Sequence, residues 1–255
     1  MDKIQLEICC GSVQDALRAH EAGADQVELN SALFLGGLTP SVGALRVIKR
    51  VCPDIKVMCM VRPRESGFCY GDLEFETMLE DAQALIESGA DGIVFGALTP
   101  ERMPDRAKCE RMLKVVGHRE RVFHRAIDVT ANPLKALDEL MDMGFTRVLT
   151  SGQRPTALEG APLIREMVQR SRGRIQILAG AGVRAENVRQ LVRETGVNMV
   201  HCTAHAAVDD ESVPPDPAIR FNGAQPPAEH QFKRIEPERV RQVRLALEEE
   251  VRPTR

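Results

Sequence analysis

Tryptophan is absent and tyrosine occurs once, so the chain has little with which to stack on the bases of single-stranded nucleic acid. It also lacks a surplus of positive charge. Against 34 Lys and Arg stand 37 Asp and Glu, a net charge of −3, and nothing draws the chain to nucleic acid or anionic lipid. No apolar run approaches the ~20 residues that span a bilayer. No two cysteines are spaced CxxC, and their number, seven, is odd. These absences exclude a disulfide framework and a closed zinc site, and they predict reduced thiols in the cytoplasm. The start, Met1-Asp2-Lys3-Ile4, runs almost directly into a strand, which leaves no room for a signal peptide. The expected partner is a small molecule or a metal ion, with no nucleic acid and no membrane.

What is present is alternation. Short β-branched runs at 4–9, 26–30, 55–62, 92–96, 121–125, 147–150, 174–179 and 198–202 are separated by amphipathic stretches such as 12–23, 78–89, 133–144 and 185–195. The short runs are mostly continuous and apolar, as parallel strands covered on both faces must be. Eight such strands with eight helices, the last at 237–251, predict a single-domain α/β fold over 1–255, the (β/α)8 TIM barrel. A repeat supports closure. Ala22-Gly23-Ala24-Asp25, Ser88-Gly89-Ala90-Asp91, Met143-Gly144-Phe145-Thr146 and Thr195-Gly196-Val197-Asn198 each put a glycine and then a polar residue ahead of every second strand. Ser12, Thr39-Pro40 and Asn132-Pro133 read as helix starts. The stretch 203–235, rich in Pro, Asp and Gly, has no periodicity and reads as a long loop before the C-terminal helix, packed over the rim or against a neighbouring subunit.

In this fold the polar residues at strand C-termini face the mouth. The candidates are Glu7 and Cys9, Glu28 and Asn30, Cys59 with Arg62 and Arg64, His124, Arg125 and Asp128, Thr150 and Ser151, Gly180 and Gly182, and His201, Cys202 and His205. Alternation puts Glu7 with Cys9 and Glu28 with Asn30 on common faces, turns Met58 and Met60 away from Cys59 toward the helices, and favours His124 over Arg125 as the inward residue. Carboxylates within apolar strands need basic partners, and Arg62, His124 and Arg125 are the candidates. Two readings of Glu7 and Glu28 stand open: an ion-pair layer that holds the barrel together, or an acid/base set facing a ligand. The Gly180-Ala181-Gly182 turn sits where barrels often cradle phosphate. Cys52 and Cys109 fall on helices and read as packing residues.

Several strings are similar to one family. Leu6-Glu7-Ile8-Cys9, Gly36-Gly37-Leu38-Thr39-Pro40-Ser41, Val61-Arg62-Pro63-Arg64, Phe123-His124-Arg125-Ala126-Ile127-Asp128, Leu149-Thr150-Ser151-Gly152 and Ala179-Gly180-Ala181-Gly182-Val183 resemble the CutC family, named for copper homeostasis. The likeness runs over 4–205. It implies a cytoplasmic barrel that associates as a homodimer or homotetramer and handles copper, with Cu(I) held on cysteines, here Cys9 with Cys59, Cys69 or Cys202. Two departures are visible. Many members read Glu-Leu-Cys where this chain has Glu28-Leu29-Asn30, and asparagine is a poor ligand for a soft ion. The Arg-Pro-Arg-Gly-Gly-Asp-Phe loop of the family reads Arg62-Pro63-Arg64-Glu65-Ser66-Gly67-Phe68.

Three functions therefore compete. One is Cu(I) binding at Cys9 and Cys59. The second is an isomerase- or lyase-type enzyme acting on a small anionic or sugar-phosphate-like substrate. There His124 is the general acid/base, Glu7, Glu28 and Asp128 are its carboxylates, and Arg62, Arg64, Arg125, Ser151, Gly180, Gly182 and His201 hold the anion. The third is a non-catalytic scaffold.

Overall fold

The computed structural model describes residues 3–215, 218, 219 and 231–251. Eight parallel strands close in sequence order, β1 (Gln5–Cys10), β2 (Gln26–Leu29), β3 (Lys56–Met60), β4 (Gly92–Phe95), β5 (Glu120–Phe123), β6 (Arg147–Thr150), β7 (Gln176–Gly180) and β8 (Met199–Cys202), with β8 pairing back to β1. The helices are α1 (Val13–Glu21), α2 (Val42–Val51), α3 (Asp72–Glu87), α4 (Arg106–Val116), α5 (Pro133–Met143), α6 (Ala161–Ser171), α7 (Val188–Thr195) and α8 (Pro237–Val251). Among the described residues no helix is long and apolar enough to cross a membrane.

The glycine repeat is structural. Gly23, Gly89, Gly144 and Gly196 all have φ between +75° and +100°, the left-handed region in which a Cβ is strained. The polar residue two positions on then stitches neighbouring strands. Asp25 accepts from the backbone N–H of Leu6 at 2.8 Å, Asp91 from Val57 at 2.7 Å, and Thr146 Oγ1 from Arg121 at 2.9 Å. Lys49 pairs with Asp91, and Arg244 of α8 with Asp25. Arg244 also donates to the carbonyls of Gly23 at 2.9 Å and Ile4 at 3.1 Å, so the last helix seals the base of the first strand.

Two expectations about the connections need correction. The second helix is not capped at Thr39. Ser41 accepts from Ala44 N there, while Thr39 is drawn off to the backbone of Arg62. The stretch 203–235 is not wholly irregular either. His205–Asp209 (β9) and Gln231–Ile235 (β10) form an antiparallel ribbon at the barrel mouth, and residues 216, 217 and 220–230 lie outside the described residues. The ribbon is tied to α1: Asp15 accepts from Ile235 N at 2.7 Å, and Arg18 donates to Ile235 O.

The core has two shells. Leu6, Ile8, Val27, Leu29, Val57, Cys59, Ile93, Phe95 and Phe123 join the helices in one large outer cluster. Phe145, just before β6, packs its ring 5.3 Å from Phe95 and 5.4 Å from Phe123. Inside the barrel, Met58, Met60, Val94 and Val122 form one small cluster, and Leu149, Leu178 and Met199 another. Strand alternation leaves the remaining lumen to polar groups: Glu7, Gln26, Glu28, Arg147 and His201, all buried. Residues paired in register point the same way, and Glu28 pairs with Met58. Met58 and Met60 therefore face the lumen, and Cys59 faces the helices, the reverse of the sequence expectation.

If the Asp91 carboxylate holds β3 as described, Asp91→Ala should destabilise the fold by about 1–3 kcal/mol, the cost of orphaning a partly buried N–H. Substitution of exposed Glu80 by alanine should stay within about 0.5 kcal/mol. Urea midpoints of the two variants make the comparison.

Candidate functional site

Three potential metal ligands converge at the mouth end of the lumen. One donor atom each from Cys9 (β1), Glu28 (β2) and His201 (β8) lie within 4.8 Å of one another, and all three residues are buried. The barrel register builds this set. Cys9 pairs with Glu28 across β1–β2, and Glu7 with His201 across β1–β8. Metal–ligand bonds of roughly 2.0–2.3 Å place opposed ligands no more than about 4.6 Å apart, so donors spread over up to 4.8 Å must draw together to grip one ion.

Their neighbours fix their states. His201 Nδ1 lies 2.7 Å from Glu7 Oε1, and Gln26 donates to the other oxygen of Glu7. Burial pushes the Glu7 carboxyl up, but the hydrogen bond and charge of His201, with Arg147, outweigh it and hold Glu7 below its ordinary value. Burial opposes charge on His201 as well. The Glu28 charge and the bonds to Cys9 and Glu7 prevail, and its pKa stands well above the ordinary value. Glu7 and His201 thus form an ion pair. Glu28 is pushed up, first by burial and then by the charge of Glu7. Asn30 donates to Glu28 Oε2 at 2.9 Å and to Cys9 Sγ at 3.5 Å. Burial raises the Cys9 thiol. With Nδ1 given to Glu7, Nε2 is the nitrogen turned toward Cys9, and it must give up its proton before it can hold an ion. A carboxylate behind a ligating imidazole is the usual way such a ring is oriented.

The other sequence candidates have different surroundings. Cys59 packs outside the barrel, where burial raises its thiol, and does not approach Cys9. Cys69 is exposed, and burial pushes the Cys202 thiol up to about 12. Asp128 has no free oxygen to act with: it accepts from Thr150 Oγ1 at 2.6 Å, from Ser151 N at 3.0 Å and from Arg125 Nε at 2.8 Å. Ser151 is consumed with it, since its hydroxyl meets Asp128, Arg125 and the Arg154 carbonyl. Arg62 is not an open anion clamp. Its guanidinium donates to the carbonyls of Leu35, Gly37 and Ser66 and holds two mouth loops together. Arg64 lies outside the cavity, paired with Glu74 at the start of α3 and stacked on Tyr70.

His124 is buried at the start of a short 3-10 helix, Arg125–Val129, where its Nδ1 accepts from Ala126 N at 3.2 Å. Burial and the nearby Arg62 charge push its pKa down to about 3, so a protonated form is not available for general acid work near neutrality. Gly180 closes β7 against Leu149 and His201, and Gly182 lines the cavity beyond it. That cavity, about 1030 Å³, opens above Cys9, Glu28 and His201 and reaches His124, Arg125 and the β9–β10 ribbon. Sequence reading placed Glu28 and His201 in other roles and did not join them to Cys9. The polar residues within apolar strands were the signal available for that grouping.

The profile of the CutC family matches residues 4–206. A CutC family protein of Treponema denticola is 51% identical, over 90% of this chain and 93% of its own length. The human copper homeostasis protein cutC homolog is 40% identical, over 80% of this chain and 74% of its own. The crystal structure of CutC from Streptococcus agalactiae superposes with a TM-score of 0.74 at 35% identity, covering 78% of this chain and 97% of that one. Phosphoribosylanthranilate isomerase from Thermotoga maritima, at a TM-score of 0.58 and 13% identity, shares the barrel fold alone. With its family profile spanning all eight barrel strands and relatives this similar over most of their length, the chain belongs to the CutC family.

Proposed function

We propose that this protein serves copper homeostasis by binding Cu(I) at Cys9 and His201, with Glu28 beside them. The observation that carries the reading is the convergence of the three buried donor groups within 4.8 Å at the mouth end of the lumen. A thiolate and an imidazole suit a soft monovalent ion. The Glu28 carboxylate adds negative charge that balances an incoming cation. The copper homeostasis names of the relatives support the choice of metal. Asn30 occupies the place where many family members carry a second cysteine. It offers a hydrogen bond to Cys9 rather than a second thiolate, which makes the site weaker for Cu(I) than a dithiolate.

The site also fits a cargo role. Cys9 is buried but reached from the cavity above it, so an ion can enter and leave along one path. Its thiol and the Nε2–H of His201 must each lose a proton when the ion binds. The Glu7–His201 pair keeps the imidazole oriented with or without an ion.

Competition with a chromophoric Cu(I) chelator measures the affinity. Cys9→Ser and His201→Gln should each weaken Cu(I) binding by at least about ten-fold, the low end for loss of a ligand or its orientation. Cys59→Ser should leave it unchanged, because that thiol faces the helices. Equal affinity in wild type and Cys9→Ser overturns the reading. Asn30→Cys, which puts a second thiol beside Cys9, should tighten Cu(I) binding in the same assay.

A further inference from the structure

We infer that the cavity above the lumen is a binding site for a small organic anion, a carboxylate or phosphate ester, whose acceptor oxygen is received by the Nε2–H of a neutral His124. The proposal does not rest on the metal reading, because its groups lie on other strands and loops.

Size is the first observation. A volume of about 1030 Å³ is at the upper end of small-molecule pockets and far exceeds the space one ion occupies. A site for metal alone leaves most of it without a purpose.

The second observation is the tautomer of His124. Its Nδ1 accepts a hydrogen bond from the Ala126 backbone N–H, so the lone pair is on Nδ1 and the proton of the neutral ring is on Nε2. Nε2 is buried, and among the described residues it has no hydrogen-bond partner. His124 itself is 4% exposed and lines the cavity. Gly96 lies against the ring, where a Cβ would come within 2.6 Å of Nδ1 and Cε1, and Phe68 packs with its ring centroid 4.8 Å away. The imidazole is therefore wedged in one orientation, with a donor that the protein does not satisfy. Such a donor calls for an acceptor from a ligand. Burial and the Arg62 charge keep the ring neutral, so it donates as an uncharged imidazole.

Charge sets the ligand class. Among the lining residues five carry Arg or Lys side chains and three carry carboxylates. Asp128 and Arg125 are bound to each other and Arg62 is held by backbone carbonyls, which leaves Arg184, Lys233 and Arg239 against Glu28 and Glu186. Arg184, Lys233 and Arg239 stand exposed around the rim, two of them contributed by the segment that follows the barrel strands. Together they favour an anion, held by the rim and oriented by His124.

Metal-free protein labelled with ¹⁵N-histidine tests this by NMR at constant ionic strength. Pyruvate represents carboxylates, glycerol 3-phosphate represents phosphate esters, and chloride is the control. Saturable movement of the His124 Nε2–H signal with either organic anion, absent with chloride, is the expected result, and the anion that saturates first names the source. His124→Asn keeps an oxygen that can cap Ala126 N but loses the Nε2 donor. It should weaken binding of that anion by roughly ten-fold, the loss of one buried hydrogen bond. Arg184→Ala should weaken it by a smaller factor. The inference is overturned if neither organic anion moves the signal more than chloride, or if a folded His124→Asn protein binds as tightly as wild type. Should His124→Asn not fold, the wild-type titration decides alone. Cys9→Ser, which removes the metal ligand, should leave anion binding intact, so the two readings fail separately.

Discussion

Glu7 is 1% exposed in the interior of the barrel, where an unpaired carboxylate would cost several kcal/mol. Its oxygens are met by His201 and Gln26, and Arg147 adds a favourable charge. The orientation of His201, the direction of its free nitrogen and the convergence on Cys9 and Glu28 all follow from that pairing. The polar side of the lumen is a set of mutually dependent groups. Remove Glu7 and the imidazolium loses its counter-charge; remove His201 and a carboxylate is stranded. Buried pairs of this kind are strongly destabilising when broken from one side. The apolar side of the lumen, with its methionines, valines and leucines, carries no such obligation and can act as plain packing.

The same division explains what sequence reading could see. The alternation of strands and helices, the repeated glycines and the polar residues after them were legible because each has a local cause: a period, a φ angle, a cap. The pairing of Cys9 with Glu28 was half visible, since both are polar interruptions of apolar strands. The facing of β3 was not. Lys56-Val57-Met58-Cys59-Met60 is apolar on both faces after its first residue, and only its register with Glu28 decides which sulfur looks inward. Register is set by the closing of the whole barrel and leaves no mark in a single strand. The roles of Arg62 and Asp128 were hidden for a related reason. Charged residues at a rim read alike whether they bind a ligand or bind loops, and only the partner atoms tell the two apart.

Those partner atoms show how the mouth is built. Arg62 gathers three backbone carbonyls from the loops after β2 and β3. Asp128 gathers donors from the loops after β5 and β6. Each charge satisfies backbone or side-chain groups that would otherwise be orphaned where the loops turn. The charged residues at these positions therefore have a local structural explanation, and Cys9, Glu28, His201 and His124 are left as the groups with capacity to spare.

Arg244 and the β9–β10 ribbon tie the first β-strand and helix to the last part of the chain. The carbonyls of Ile4 and Gly23 receive Arg244, and Asp15 receives the N–H of Ile235. A ribosome delivers β1, α1 and β2 long before α8. During synthesis the opening unit must hold its polar groups in water, and its base is sealed only when the final helix arrives. Polar groups of the opening unit are thus completed only by residues 220 or more positions further along the chain.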